Sequence, residues 1–229
     1  MKWALAALAL AGCDRLFGLN GIRVHGDAAL DAPVDAPSCV GVPLVADTFD
    51  NTGGTPCMGW GNDDHFMSTD VVAGGSLAIT PDPDVTTTRG GCEASVRTPL
   101  TTTGVFVEVT QPATGADEYM YFAIDWGDGV TRSTWFWNAS GTGILFQSRG
   151  ATIGSTAFDP VSTRWLRIRA ADDGGGVVGD YSSDAEHWTT IGEDQVTPPA
   201  TVGVEFLDGT FAPEAAPSTA RFDTLDVCP

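Results

Sequence analysis

The chain has 229 residues, 42% of them hydrophobic, and a formal net charge of -19 from 30 acidic against 11 basic residues. That is enough apolar surface for one or at most two cored domains, and it excludes a wholly disordered chain. The acidic excess repels phosphate backbones, so nucleic acid is excluded as a partner, and the 28 glycines and 14 prolines are scattered without the period of a fibrous repeat.

The first predicted element, residues 1–12, has a positive start at Lys2, an apolar run Trp3–Ala11, and Gly12 just before Cys13. Such a short run suits a signal peptide and is too short to span a bilayer. Leu10-Ala11-Gly12-Cys13 resembles the lipobox of bacterial lipoproteins. The resemblance implies that Cys13 is lipidated and that acyl chains alone hold the protein on a membrane, at the outer membrane, the cell surface or the periplasmic face of the envelope. Residues 13–38 follow, with Asp31-Ala32-Pro33 repeated as Asp35-Ala36-Pro37. This segment has too little apolar surface to offset its ordering entropy and is expected to be an extended tether.

Residues 39–229 carry four further cysteines, Cys39, Cys57, Cys92 and Cys228. An even number in an exported chain argues for two disulfides with three possible connectivities. The favoured pairing is Cys39–Cys228, stapling the ends of the domain, with Cys57–Cys92 inside it. A zinc site is disfavoured, because no CxxC pair occurs and His25, His65 and His187 are far apart.

From Cys39 onward hydrophobicity has period two. Val105, Val107 and Val109 alternate with Phe106 and Glu108, and Met120, Phe122 and Ile124 with Tyr119, Tyr121 and Asp125. Leu166 and Ile168 alternate with Trp165, Arg167 and Arg169, and Val202, Val204 and Phe206 with Gly203 and Glu205. Turn signals such as Gly74-Gly75, Gly127-Asp128-Gly129 and Asp172-Asp173-Gly174 separate the runs. About eleven or twelve short strands without a capped helical stripe predict an all-β, two-sheet antiparallel jelly-roll sandwich in one domain.

Three segments resemble the concanavalin A-like lectin/glucanase sandwich and its laminin G-like relatives. They are Asp47-Thr48-Phe49-Asp50 with Trp60 and Gly75–Ile79, then Arg164–Arg169 with Tyr181–Asp184 and Trp188, and finally Ala220–Val227, which resembles a closing strand returning beside the first. The resemblance implies a broad sheet face that binds sugar. The residues expected on such a face are Trp135, Trp137, Tyr119, Tyr121, Asp125, Glu108, Arg167 and Arg169, aromatic rings for C–H stacking among polar groups for hydroxyls. Trp135 and Trp137 share one face of their strand and Phe136 takes the other, so one of the two sets is exposed or lies under a loop. The resemblance also leaves open a calcium ion, with Asp125 and Asp128 the leading ligands; no other cofactor is expected.

Glucanases of this fold carry a Glu-x-Asp-x-x-Glu strand, and this chain has none. Asp125/Asp128 and Glu205/Asp208 have acids three apart, which a flat strand turns to opposite faces. Gly-x-Ser-x-Gly and His-Glu-x-x-His are also missing. The sequence therefore predicts a lipid-anchored binding module without catalysis, a monomer whose partner is a glycan or a cell-surface protein. A structural or adhesion lipoprotein and a diverged glycoside hydrolase are the alternatives.

Overall fold

The computed structural model describes residues 39, 42–50, 54–57, 59–138 and 143–229. The expected signal peptide, the lipid-bearing Cys13 and the tether lie outside the described residues. Among the described residues there are fifteen strands and no helix, three or four strands more than the sequence predicted, and no segment is a helix long and apolar enough to cross a membrane. In chain order the strands are β1 (Val45–Asp47), β2 (Gly61–Asp63), β3 (Ser68–Ala73), β4 (Ser76–Pro81), β5 (Thr88–Ala94), β6 (Val105–Gln111), β7 (Glu118–Asp125) and β8 (Arg132–Asn138). They continue with β9 (Gly143–Ser148), β10 (Ala151–Ala157), β11 (Trp165–Ala170), β12 (Val177–Ser182), β13 (Thr189–Asp194), β14 (Gly203–Thr210) and β15 (Ala220–Val227).

Two antiparallel sheets result. The first runs β13-β12-β11-β6-β15-β4-β3, with β1 also paired to β15; the second runs β10-β9-β8-β7-β14-β5-β2. The closing strand does return beside the first, Val227 opposite Val45. Each sheet buries one side, as the period-two runs require: Val105, Val107, Leu166, Ile168 and Leu225 from the first sheet meet Met120, Phe122, Ile124, Val204 and Phe206 from the second. Cys39–Cys228 ties the ends of the domain and Cys57–Cys92 joins the loop before β2 to β5, the favoured pairing. Such bonds mark an extracytoplasmic protein, and closing so long a loop as the first contributes up to about 5 kcal/mol through the unfolded chain.

Sheet edges are places where unpaired amides invite aggregation. On one side of the sandwich β10 and β13 cover each other. Ile153 of β10 lies against Gly192 of β13, and Ile191 of β13 against Gly154 of β10; a Cβ at Gly154 would fall 2.6 Å from the Ile191 carbonyl oxygen. Arg149 adds a fork across the same side, both contacts to Asp194 at 2.9 Å. Gly154→Val is therefore expected to force the two edges apart and cost about 1–3 kcal/mol, read as a lower urea midpoint at unchanged m-value.

Candidate functional site

The predicted ligand residues do not meet. Glu108, Arg167 and Arg169 stand on β6 and β11 of the first sheet, while Tyr119, Tyr121 and Asp125 stand on β7 of the second. These outward faces are on opposite sides of a sandwich whose layers pack about 10 Å apart, so one small ligand cannot touch both sets.

The first sheet's polar residues satisfy one another. Asp180 is fully buried and receives Arg167 at 2.9 Å and Arg169 at 2.8 Å, with the Thr190 hydroxyl at 2.6 Å. The Arg167 guanidinium lies 4.2 Å over the Trp188 ring. Glu108 is buried against Arg164. Two charges that share one buried carboxylate are held there by the desolvation that any separation would expose.

Trp135 and Trp137 also need correcting, because both are core residues. Trp135 is fully buried, packs against Phe146 and donates its indole N–H to the Arg167 carbonyl at 3.0 Å; Trp137 packs edge-on against Phe158. Phe136 takes the outer side of β8, so the exposed set of that strand is the other one.

Asp125 and Asp128 are committed to their own turn. Asp125 Oδ2 accepts Arg97 at 2.7 Å and the Gly127 amide at 3.1 Å. Asp128 accepts the amides of Val130 and Thr131 and the Thr131 hydroxyl, bonds that hold its carboxyl down at about 2.

The outer face of the second sheet is different. Successive outward rows are fixed by register: Thr134, Ala123, Glu205 and Glu93 in one, Phe136, Tyr121, Leu207 and Gly91 in the next, and then Tyr119, Gly209 and Arg89. A pocket of about 90 Å³ opens over the first two rows, walled by Tyr121, Arg132, Asp64 and Arg89, with Glu205 and Glu93 side by side. Glu205 is buried and gripped by the Arg132 fork at 2.7 and 3.1 Å, and the Tyr121 hydroxyl sits 3.5 Å from the same carboxylate.

Glu93, its direct cross-strand neighbour, has no ion pair among the described residues and its carboxyl is pushed up, first by partial burial and then by the charges of Glu205 and Asp64. Burial and the Glu205 charge likewise push the Tyr121 phenol up, so it stays a hydrogen-bond donor. Two carboxyls of one type thus stand side by side in unlike surroundings, Glu205 buried and held by a guanidinium, Glu93 exposed and with its carboxyl pushed up.

Sequence reading placed Glu205 on a wet face but missed Glu93 and Arg132. The pair is joined across β5 and β14, so no local spacing could have revealed it, and Thr88–Ala94 is too glycine-rich to alternate. Removing the Arg132 fork leaves Glu205 buried without its cation. Arg132→Met is expected to cost about 3 kcal/mol, most of it recovered in Arg132→Met/Glu205→Gln; urea unfolding of the set measures the coupling.

No family model matches the sequence, and no curated protein does. Solved structures match in fold. A non-specific endo-β-1,3(4)-glucanase of family GH16 superposes with a TM-score of 0.63 at 12% identity, over 85% of this chain and 96% of that one. The laminarinase of Flavobacterium sp. UMI-01 gives 0.60 at 11%, over 82% and 100%. An endo-β-galactosidase from Clostridium perfringens gives 0.54 at 12%, over 80% and 61%. These neighbours cleave glycans, which overturns the expectation of a chain without catalysis. At such identities the likeness establishes architecture, and the architecture is the jelly-roll sandwich of the family GH16 glucanases.

Proposed function

We propose that the chain is a diverged glycoside hydrolase that cleaves a glycan laid over the outer face of the second sheet. The observation that carries this reading is the cross-strand pair of Glu93 and Glu205 in the pocket. Residues directly opposite in an antiparallel pair have Cβ atoms about 5 Å apart, close to the carboxyl spacing of about 5–5.5 Å used by retaining glycosidases. The glycan-cleaving neighbours of the fold support it.

Glu93, with its raised carboxyl, holds the proton and donates it to the glycosidic oxygen as the C–O bond breaks. Glu205, paired to Arg132, is the carboxylate whose oxygen bonds the anomeric carbon. Water then attacks that carbon, gives its proton to Glu93, and releases Glu205. The Tyr121 hydroxyl steadies the charge on Glu205 before it attacks and as it is released. This differs from the Glu-x-Asp-x-x-Glu arrangement, in which the acids lie along one strand; here they face each other across two.

Glu93→Gln and Glu205→Gln are each expected to lower kcat by about a hundredfold to ten-thousandfold with the fold retained, and the first product to keep the anomeric configuration, checked by reducing-end release and NMR. A wild-type protein that releases no reducing ends from any β-glucan, or a Gln variant that stays active, overturns the reading. Because Glu93 acts protonated and its carboxyl is raised, activity falls as pH rises through that raised value. Glu93→Gln loses this limb together with the rate.

We further propose that Cys13 carries the lipid and the tether of residues 13–38 holds the domain clear of the membrane. Cys13→Ala is expected to abolish incorporation of labelled palmitate in an expressing bacterium and to move the protein from the membrane to the soluble fraction.

A further inference from the structure

Beyond the pocket, the outer face of the second sheet carries a run of near-parallel rings. Tyr119 lies within 14° of Tyr121 at 6.5 Å, within 18° of Phe136 at 6.3 Å, and within 26° of Phe211 at 4.3 Å. Phe211 is 58% exposed.

The ring is also held in place. The loop that follows Phe211 is pinned by Glu118, a fully buried carboxylate of β7 that accepts the amide and hydroxyl of Ser218 and the amides of Thr114 and Gly115. The Phe211 amide itself donates to the Asp117 carbonyl at 2.9 Å. Beneath the rings lies Gly209, where a Cβ would fall 2.8 Å from the Tyr119 hydroxyl as well as against the Thr88 carbonyl. The missing side chain lets the Tyr119 ring lie flat over β14 toward Phe211. The half-buried Tyr119 ring backs Phe211, whose fixed and exposed face is preorganised to stack on another flat apolar surface.

We propose that Phe211, backed by Tyr119, forms a distal subsite on whose open face a pyranose ring of a long glycan stacks, remote from the Glu93–Glu205 pair. The inference rests on the glycan reading of this face. From Glu205 to Phe211 along β14 is six residues, about 20 Å at the rise of a strand, and Tyr121 and Phe136 fill the interval without a gap. That continuity selects a sugar chain over a protein partner as the occupant: the same chain that enters the pocket is led along the rings. The consequence is a preference for long substrates that the acid pair alone does not create.

The test is binding of a soluble mixed-linkage β-glucan and of a short trisaccharide from it, by titration calorimetry, with wild type, Phe211→Ala and Phe211→Leu. The substituted residue is exposed and outside the acid pair, and Phe211→Leu keeps apolar bulk without the ring should Phe211→Ala fold poorly. Both variants are expected to bind the polymer about two- to tenfold more weakly and the trisaccharide as wild type does, with Phe211→Trp restoring polymer binding. Unchanged polymer binding, or equal weakening for polymer and trisaccharide, overturns the subsite, and so does a wild-type protein that binds neither. Unchanged polymer binding beside a dead Glu93→Gln would remove the subsite and leave the catalytic reading standing. Phe211-dependent binding of a polymer that is never cleaved would do the reverse.

Discussion

Phe206 is the residue on which both the fold and the site depend. Its ring contacts Phe49, Trp60, Phe122 and Phe222 at 5.1 to 6.4 Å, so that β1, β2, β7 and β15 and the loops beside them converge on one side chain of β14. Successive residues of a strand point to opposite faces. Burying Phe206 between the sheets therefore forces Glu205 and Leu207 outward, and Glu205 can stand in the pocket only because Phe206 is anchored behind it. A one-residue slip of β14 would bury Glu205 and expose the ring, a change neither face tolerates.

The same alternation explains which parts of the molecule were readable from sequence. In β6, β11 and β14 the residues of one face are apolar nearly throughout, so the inner faces, the two-sheet architecture and the opposite facing of Glu205 and Asp208 could be derived. Asp208 does turn inward and is fully buried, where the loss of water pushes its carboxyl well above the ordinary aspartate range. Strand β8 defeats this method. Trp135, Phe136 and Trp137 are aromatic on both faces, pattern carries no information there, and the choice falls to tertiary packing: the Trp135 indole finds a buried carbonyl across the core. Glu93 was unreadable for another reason, since its meaning comes from Glu205 and that neighbour is supplied by strand pairing alone.

Charge explains how the two outer faces differ. The chain is strongly acidic, and its arginines are spent on carboxylates that the fold has partly desolvated: Arg97 on Asp125, Arg149 on Asp194, Arg164 on Glu108, and both Arg167 and Arg169 on Asp180. On the first sheet these pairs tie down Arg164, Arg167 and Arg169, while Arg221 meets only the Ser76 hydroxyl and a cavity of about 280 Å³ opens beside Arg169, Asp172 and Glu193. On the second sheet Arg132 neutralises Glu205 and Arg89 neutralises Asp64. Glu93 has no ion pair among the described residues, and burial with the charges of Glu205 and Asp64 pushes its carboxyl up against the opposing pull of Arg132.

This distribution gives the two sheets different work. A sandwich needs both inner faces for its core, so function can be built only on outer faces, at edges or in loops. The edge formed by β10 and β13 is closed by interlocking Ile and Gly residues, and the first sheet's outer face spends most of its arginines on its own ion pairs. The second-sheet face has unequal carboxyls at one end and the exposed Phe211 ring at the other. On the proposed reading the acids supply a place where a bond can be broken, and the ring gives a long chain a reason to lie across it. Neither feature would specify a polymer substrate alone, because a pocket of this size grips little of a sugar chain and a pair of stacked rings performs no chemistry. Strand β14 links them, running from Glu205 to the loop that holds Phe211, so the spacing of the two is set by the rigid geometry of one buried strand.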